Sequence, residues 1–547
     1  MPDLLRPALL CVLLAGPCAF AAAAQDAPSA HATAPVPAGL AGFDAYVAGV
    51  QETFDVPGIA VAIIDAEGTV LERGWGVREL GKPAPVDAHT LFAIASNTKA
   101  FTSASLSILA DEGRLSLDDR VIDHLPWFRM ADAYVTREMR LRDLLVHHSG
   151  LGLGAGDLLY WPTTSYSNRE VVERLAHVPL AGGFRAGYAY DNILYGVAQQ
   201  VIETVGGQSY AEFLRTRIFE PLGMDETRFN ADHLRPGDAA ATGHARADFT
   251  DLAPVAPMTW SNVAGAGGIY SSVHDLATWM RVQLDGGVIE GEGDGARRLF
   301  SQARHEAMWT VVTPRAIRPP QVPALAAATP NFLGYGEGWN ISDYRGEKLV
   351  WHTGGWPGMV SRVTLVPSRK IGIVVLTNAE AGAAFQAVTM RALDAMLGAP
   401  DTDWTAAYAA GLGRQQEEAT ADWERHLAAR DADSEPSLPL ADYAGTYRDP
   451  WYGDVRVERS GTGLAIRFSK TAQLVGDLEH WQHDTFLVRW RDRQLNADAF
   501  LSFALTPDGA IREARMEPVS PLTDFSFDFQ DLRLAPVGSG DADADAG

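Results

Sequence analysis

The chain has 547 residues, 47% hydrophobic and 21% charged, which is an ordinary globular composition on a chain too long for one compact core. A net charge of −24 with a pI near 4.9 excludes a nucleic-acid binder, because phosphates demand a basic face.

In chain order, residues 1–24 read as a signal peptide. Arg6 supplies the positive charge, Pro7 to Ala24 form an apolar run, and Ala22 and Ala24 suit a cut before Gln25. Both cysteines, Cys11 and Cys18, lie inside this segment, so the mature chain is expected to have no disulfide and no thiol chemistry. Pro17 before Cys18 disfavours lipid attachment. No later apolar run approaches the roughly 20 residues of a membrane span. The expectation is a periplasmic or secreted protein with no membrane anchor after cleavage.

Residues 25–40, rich in Ala and Pro, read as a linker. Ile59 to Ile64, the turn Asp65 to Gly68, and Thr69 to Val77 predict a hairpin. Helical spacing runs from Ser96 to Ala110, with Gly113 placed as a C-cap. Helical and loop segments follow, including Arg169 to Leu175, Leu194 to Val205 and His274 to Gln283. A second strand pair, Ser361 to Val366 and Ile371 to Leu376, precedes a closing helix from Gln386 to Leu397. Residues 41–398 are therefore read as α/β in the α+β sense: an antiparallel sheet flanked by helices, with a largely helical subdomain. Residues 399–440, rich in Ala, Glu, Asp and Arg, read as a helical connector ending at Pro436 and Pro439. Residues 441–536 alternate short strands (Val455 to Val457, Leu464 to Phe468, Thr485 to Trp490, Phe500 to Leu505, Ile511 to Met516), predicting a small all-β, barrel-like domain. Residues 537–547 read as a disordered tail.

The chemistry concentrates at Ile94-Ala95-Ser96-Asn97-Thr98-Lys99. Helix positions i and i+3 share a face, which puts the Lys99 amine beside the Ser96 hydroxyl. Serine is a weak nucleophile until a base removes its proton. To be that base Lys99 must be neutral, a fall of roughly three pKa units costing about 4 kcal/mol. Arginine cannot substitute, since guanidinium stays protonated. The chain holds only five lysines (Lys82, Lys99, Lys348, Lys370 and Lys470), so a chance Ser-x-x-Lys is expected about 0.3 times. Downstream, Tyr190-Asp191-Asn192 stands just before a helical run. There a phenol can shuttle a proton and an amide can bind a substrate carbonyl. Val350-Trp351-His352-Thr353-Gly354-Gly355 precedes the second strand pair, and its glycines let backbone donors approach an acyl oxygen.

These three motifs in this order resemble the class C β-lactamase, D-alanyl-D-alanine carboxypeptidase and esterase branch of the serine β-lactamase and penicillin-binding-protein family. The stretches Leu144 to Leu151, Phe219 to Met224 and Ala266 to Ser272 add to the resemblance, which covers roughly Phe43 to Leu397. The domain from Tyr443 is similar to a lipocalin-like domain of unknown function often appended to these hydrolases. The resemblance implies that Ser96 is acylated and that Lys99 and Tyr190 share the acid and base work. It further implies that Asn192 touches the substrate amide, and that the amides of Ser96 and Gly355 form an oxyanion hole within the His352-Thr353-Gly354-Gly355 stretch. His352 stands where β-lactamases have lysine. Members with His-Thr-Gly resemble peptidases and amidases of D-amino acids, or esterases, more than strong β-lactamases.

Gly150 to Gly156 lacks the Gly-Lys-Ser/Thr ending of a nucleotide loop, and His147 and His148 are adjacent, which is poor spacing for one metal. No metal and no cofactor are expected. The expected partner is a small-molecule or peptide substrate, with oligomerisation left open. Three functions compete: a Ser96 acyl-enzyme hydrolase on esters, amides or D-amino-acid peptides; a β-lactamase; and a non-catalytic binder of peptidoglycan or β-lactams.

Overall fold

The computed structural model describes residues 38–291 and 296–538. The segment read as a signal peptide, nearly all of the stretch read as a 25–40 linker and the residues from 539 lie outside the described residues. Among the described residues the first α-helix is Phe43–Phe54.

The predicted hairpin is present as β1 (Gly58–Ile64) and β2 (Thr69–Gly76). Every residue of β1 is buried, and the alternation of its side chains explains why. Ile59, Val61 and Ile63 face a core shared with the helices Phe43–Phe54 and Gly382–Leu397. Ala60, Ala62 and Ile64 face a second core with the helices Thr98–Asp111 and Val273–Leu284. The sheet is thus covered on both faces, and its central strands read as continuous apolar runs.

Five further strands that pair beside the hairpin are β3 (Thr313–Pro314), β4 (Leu333–Tyr335), β5 (Asn340–Tyr344), β6 (Glu347–Trp356) and β7 (Met359–Val366). With β8 (Ile371–Thr377) they complete an eight-stranded antiparallel sheet in the order β2-β1-β8-β7-β6-β5-β4-β3. The sequence signalled the β1-β2 and β7-β8 pairs and the strand approaching His352. It gave no sign of β3, β4 and β5, which are short and carry little β-branched patterning.

The connector is helical only over Trp404–Ala429. Its start is anchored where buried Trp404 donates its indole N–H to Asp394 Oδ2 at 2.8 Å. Its far end touches the next domain, where Trp423 packs against Trp481 with ring centroids 5.4 Å apart. That domain is a seven-strand meander from Gly445–Asp449 to Ile511–Pro518, followed by the short strand Ala535–Pro536. The last strand returns to pair with the first, Tyr447 against Pro536, while Leu534 bridges Ala514 on the seventh, nearly closing a barrel. The five strands read from sequence are all present, and Gly445–Asp449 and Val475–Gln482 join them.

Candidate active site

Ser96 does not sit within the long helix but in a 3₁₀ turn, Ala95–Asn97, that feeds into Thr98–Asp111. Ala95 holds φ +47°, a left-handed conformation that costs a side-chain-bearing residue of order 1–3 kcal/mol and is kept only where surroundings enforce it. Here they do: Asn97 Nδ2 donates to Ser361 Oγ at 2.8 Å, and the Ser361 hydroxyl donates to Ile94 O at 2.7 Å. Strand β6 closes against the same turn. A Cβ at Gly354 would lie 2.2 Å from Ile94 O and 3.0 Å from Ala95 Cβ, so only glycine fits. Strand β5 pairs with β6 only as far as Trp351, which leaves the edge from His352 to Trp356 without a strand neighbour on that side.

Lys99 is fully buried. Its Nζ lies 2.9 Å from Ser96 Oγ, 2.7 Å from Asn192 Oδ1 and 2.9 Å from the Ala266 carbonyl. Two of these partners only accept. A neutral amine gives its two N–H groups to them and keeps its lone pair for the Ser96 O–H. Burial pushes Lys99 down to about 7, against the pull of Asp157 and Asp191. Those two carboxyls are themselves raised to about 7 by burial.

Tyr190 faces the Ser96 hydroxyl, and its phenol is raised well above 10, chiefly by burial. It therefore carries a neutral hydroxyl rather than a phenolate. Its ring lies 4.3 Å from that of His147 and 6.3 Å from that of His352. His352 has both ring nitrogens engaged: Nδ1 at 2.6 Å from Thr353 O and Nε2 at 2.8 Å from the Tyr335 hydroxyl. The carbonyl partner assigns the ring proton to Nδ1. Burial, then the neighbouring Lys99, holds His352 well below 6.5, and His147 is lowered in the same way.

Asn192, expected to touch the substrate amide, lines the cavity and also holds Lys99. Its Oδ1 accepts from Lys99 and its Nδ2 donates to Asp157 Oδ2 at 2.9 Å, so the amide ties the lysine to a buried carboxyl. Ser96, Tyr190, Asn192, His352, Thr353 and Gly355 all line one cavity of about 1030 Å³. Lys99 is not among the lining residues but reaches Ser96 from behind, and Gly354 packs against the turn at Ile94 and Ala95. Among the described residues no cluster of metal-ligating side chains occurs. No helix among them is long and apolar enough to cross a membrane.

The cavity has a wall from the C-terminal domain. Phe525 stands edge-on to Tyr190, with centroids 5.9 Å apart, and Asp524 and Ser526 line the same space. This segment docks on the glycine run that sequence reading set aside as a nucleotide loop. A Cβ at Gly154 (φ +68°) would lie 2.6 Å from Phe525 O, and the Gly156 amide donates to Asp528 Oδ2 at 2.6 Å. Gly154 N–H also donates to Tyr190 O at 2.9 Å, joining the run to the tyrosine motif.

A family model described as "Beta-lactamase" matches residues 43–397. The chain belongs to the β-lactamase family. A second model, a domain of unknown function (DUF3471), matches residues 429–536. The unguisins hydrolase ungD of Aspergillus violaceofuscus is 30% identical over 505 residues, 86% of either chain. Among solved structures, the octameric penicillin-binding protein homologue from Pyrococcus abyssi covers 90% of this chain and 99% of its own, at TM-score 0.55 and 22% identity. The D-amino acid amidase from Ochrobactrum anthropi SV3, complexed with L-phenylalanine, covers 64% of this chain and 98% of its own at TM-score 0.51 and 23% identity. At these identities the last two speak to fold alone. Together they establish the serine β-lactamase-like fold.

Several residues of the site were not singled out from sequence. Asp191 lay inside the tyrosine motif and was passed over. His147 stands out from sequence only as a poor metal ligand and as part of the Leu144 to Leu151 stretch. Asp157, Tyr335, Ser526 and Asp528 carried no local signal at all, because each meets its partner through a contact distant in sequence.

Proposed function

We propose that this protein is a hydrolase acting through a Ser96 acyl-enzyme on a small ester, amide or D-amino-acid-containing peptide. The observation that carries the reading is Lys99 Nζ, buried and at 2.9 Å from Ser96 Oγ, with its two N–H groups taken by other acceptors. In this reading Ser96 Oγ attacks the substrate carbonyl while its proton passes to the Lys99 lone pair. The carbonyl oxygen becomes an oxyanion facing the amides of Ser96 and Gly355. Collapse breaks the ester or amide bond, and the leaving group takes the proton from Lys99 through the Tyr190 hydroxyl. Water then attacks the acyl-Ser96 ester and restores the serine hydroxyl.

The cavity supports a peptide-like ligand by size and by charge. Asp524 lines it with a carboxyl that accepts the Ser526 amide at 2.8 Å, and Arg315 and Arg318 also line it, so the carboxylate of a peptide-like ligand finds a counter-charge. His352, uncharged and bonded at both nitrogens, offers no fixed cation of the kind a β-lactamase lysine supplies. Nitrocefin is therefore expected to be the poorest substrate. We further propose that the protein works outside the cytoplasm after loss of residues 1–24, which N-terminal sequencing of the exported protein tests.

Rates of wild type and Ser96→Ala on a p-nitrophenyl short-chain ester, a D-amino-acid amide, a D-Ala-D-Ala peptide and nitrocefin test the function. Ser96-dependent turnover of one of the first three is expected. Binding that Ser96→Ala retains, with no turnover by wild type, would instead make this a binding protein.

A further inference from the structure

The loop from Pro521 to Phe529 of the C-terminal domain does more than line the cavity. The Ser526 hydroxyl donates to Asp157 Oδ2 at 2.9 Å, the same oxygen that receives Asn192 Nδ2 at 2.9 Å. Asn192 Oδ1 in turn receives Lys99 Nζ at 2.7 Å. An unbroken chain of three hydrogen bonds therefore runs from the β-domain to the amine beside Ser96. Its outer end is fixed, because the buried Asp528 carboxyl accepts the Gly156 amide at 2.6 Å and the Leu158 amide at 3.0 Å, one on each side of Asp157. Every group in the chain is buried, so water does not compete for these bonds.

We propose that Ser526, held in place by the loop that Asp528 anchors, is a positioning residue for Lys99, so that the C-terminal domain is an integral part of the catalytic centre. The proposal rests on Lys99 being the base of the proposed hydrolase. Ser526 touches no reacting atom; it acts through Asp157 and Asn192.

The direction of its influence follows from charge. Lys99 is faced by the carboxyls of Asp157 and Asp191, by His147 and His352, and by the rings of Tyr190 and Tyr195. Asp157 is faced by Tyr160, Asp524 and Asp528 as well as by Asn192 and Ser526. The Ser526 hydroxyl stabilises the ionised form of Asp157. Without it Asp157 stays neutral to higher pH, the Lys99 ammonium loses a counter-charge, and the amine deprotonates at lower pH.

The test compares wild type, Ser526→Ala and Ser526→Thr. For Ser526→Ala we expect a kcat lowered about tenfold with KM within about twofold. The acid limb of its pH–rate profile moves to lower pH by about 0.5, with the melting temperature retained to a few degrees. Ser526→Thr, which keeps the hydroxyl, restores both. A second readout does not need turnover. Protein labelled with [13Cε]lysine carries signals from only five lysines, and Lys99 is assigned by its loss in Lys99→Arg. Its titration midpoint should fall in Ser526→Ala and return in Ser526→Thr. A midpoint and acid limb unchanged in Ser526→Ala would overturn the proposal and leave the β-domain a packing partner. A shifted midpoint in a protein with no Ser96-dependent turnover would uphold the coupling and remove only the hydrolase reading.

Discussion

Two walls of the Ser96 cavity are built by opposite means. The wall carrying Ser96 and Lys99 is local: a strained turn and the first residues of a helix buried from Thr98 to Leu109, with the two side chains three positions apart. The wall from Asp524 to Asp528 is a loop of another domain that meets its partners across some 370 positions of chain. In the proposed reaction the first wall supplies the reacting groups, and the second sets their surroundings. Chemistry can thus be held on one rigid element while its electrostatic environment is brought from elsewhere.

The strongest test of this division acts on the local wall. Ser96→Ala and Lys99→Arg should each reduce kcat/KM by at least about 10³-fold on whichever substrate is turned over, while both proteins stay folded. A Lys99→Arg protein that kept its rate would break the division outright. Next is pH. With Lys99 pushed down to about 7 and acting as a neutral base, the rate should fall about tenfold per pH unit below about 7 and level off above it. The sign is fixed because protonation removes the lone pair. A rate still rising towards pH 10 would mean Lys99 is not depressed.

Gly354→Ala probes how closely β6 presses on the turn. With the new Cβ 2.2 Å from Ile94 O, the protein should lose about 1–3 kcal/mol of stability and most of its activity, read by thermal melting and kcat together. The smallest effect is expected from the far wall. Phe525→Ala removes a half-exposed ring that stands beside Tyr190, so it should raise KM about 3- to 10-fold and leave kcat within about twofold. A large kcat loss there would show that the β-domain loop carries more than shape and the Ser526 contact.

Much of the first wall was legible beforehand. The Ser96 and Lys99 spacing is a helix rule, and the scarcity of lysine made the motif informative. The β1-β2 and β7-β8 pairs announced themselves by β-branched runs about short turns. Tyr190, Asn192 and His352 were found by motif, yet only part of their placement followed. Asn192 turns its amide to Lys99 and Asp157, and His352 is spent on Thr353 and Tyr335. A motif states which residue types are present, while hydrogen-bond partners depend on what the fold packs against them.

The sequence by itself therefore carried the Ser96–Lys99 pair, through spacing within one helical turn, and the three ordered motifs whose resemblance pointed to the family. Only the tertiary structure decided that the glycine run at Gly150 to Gly156 is a seat for the β-domain and that Asp157 sits under Asn192. It alone also decided that Ser526 and Asp528 reach the lysine's surroundings. Such contacts leave no local pattern: a serine and an aspartate in a loop look like any polar turn until burial removes water and makes each hydrogen bond count.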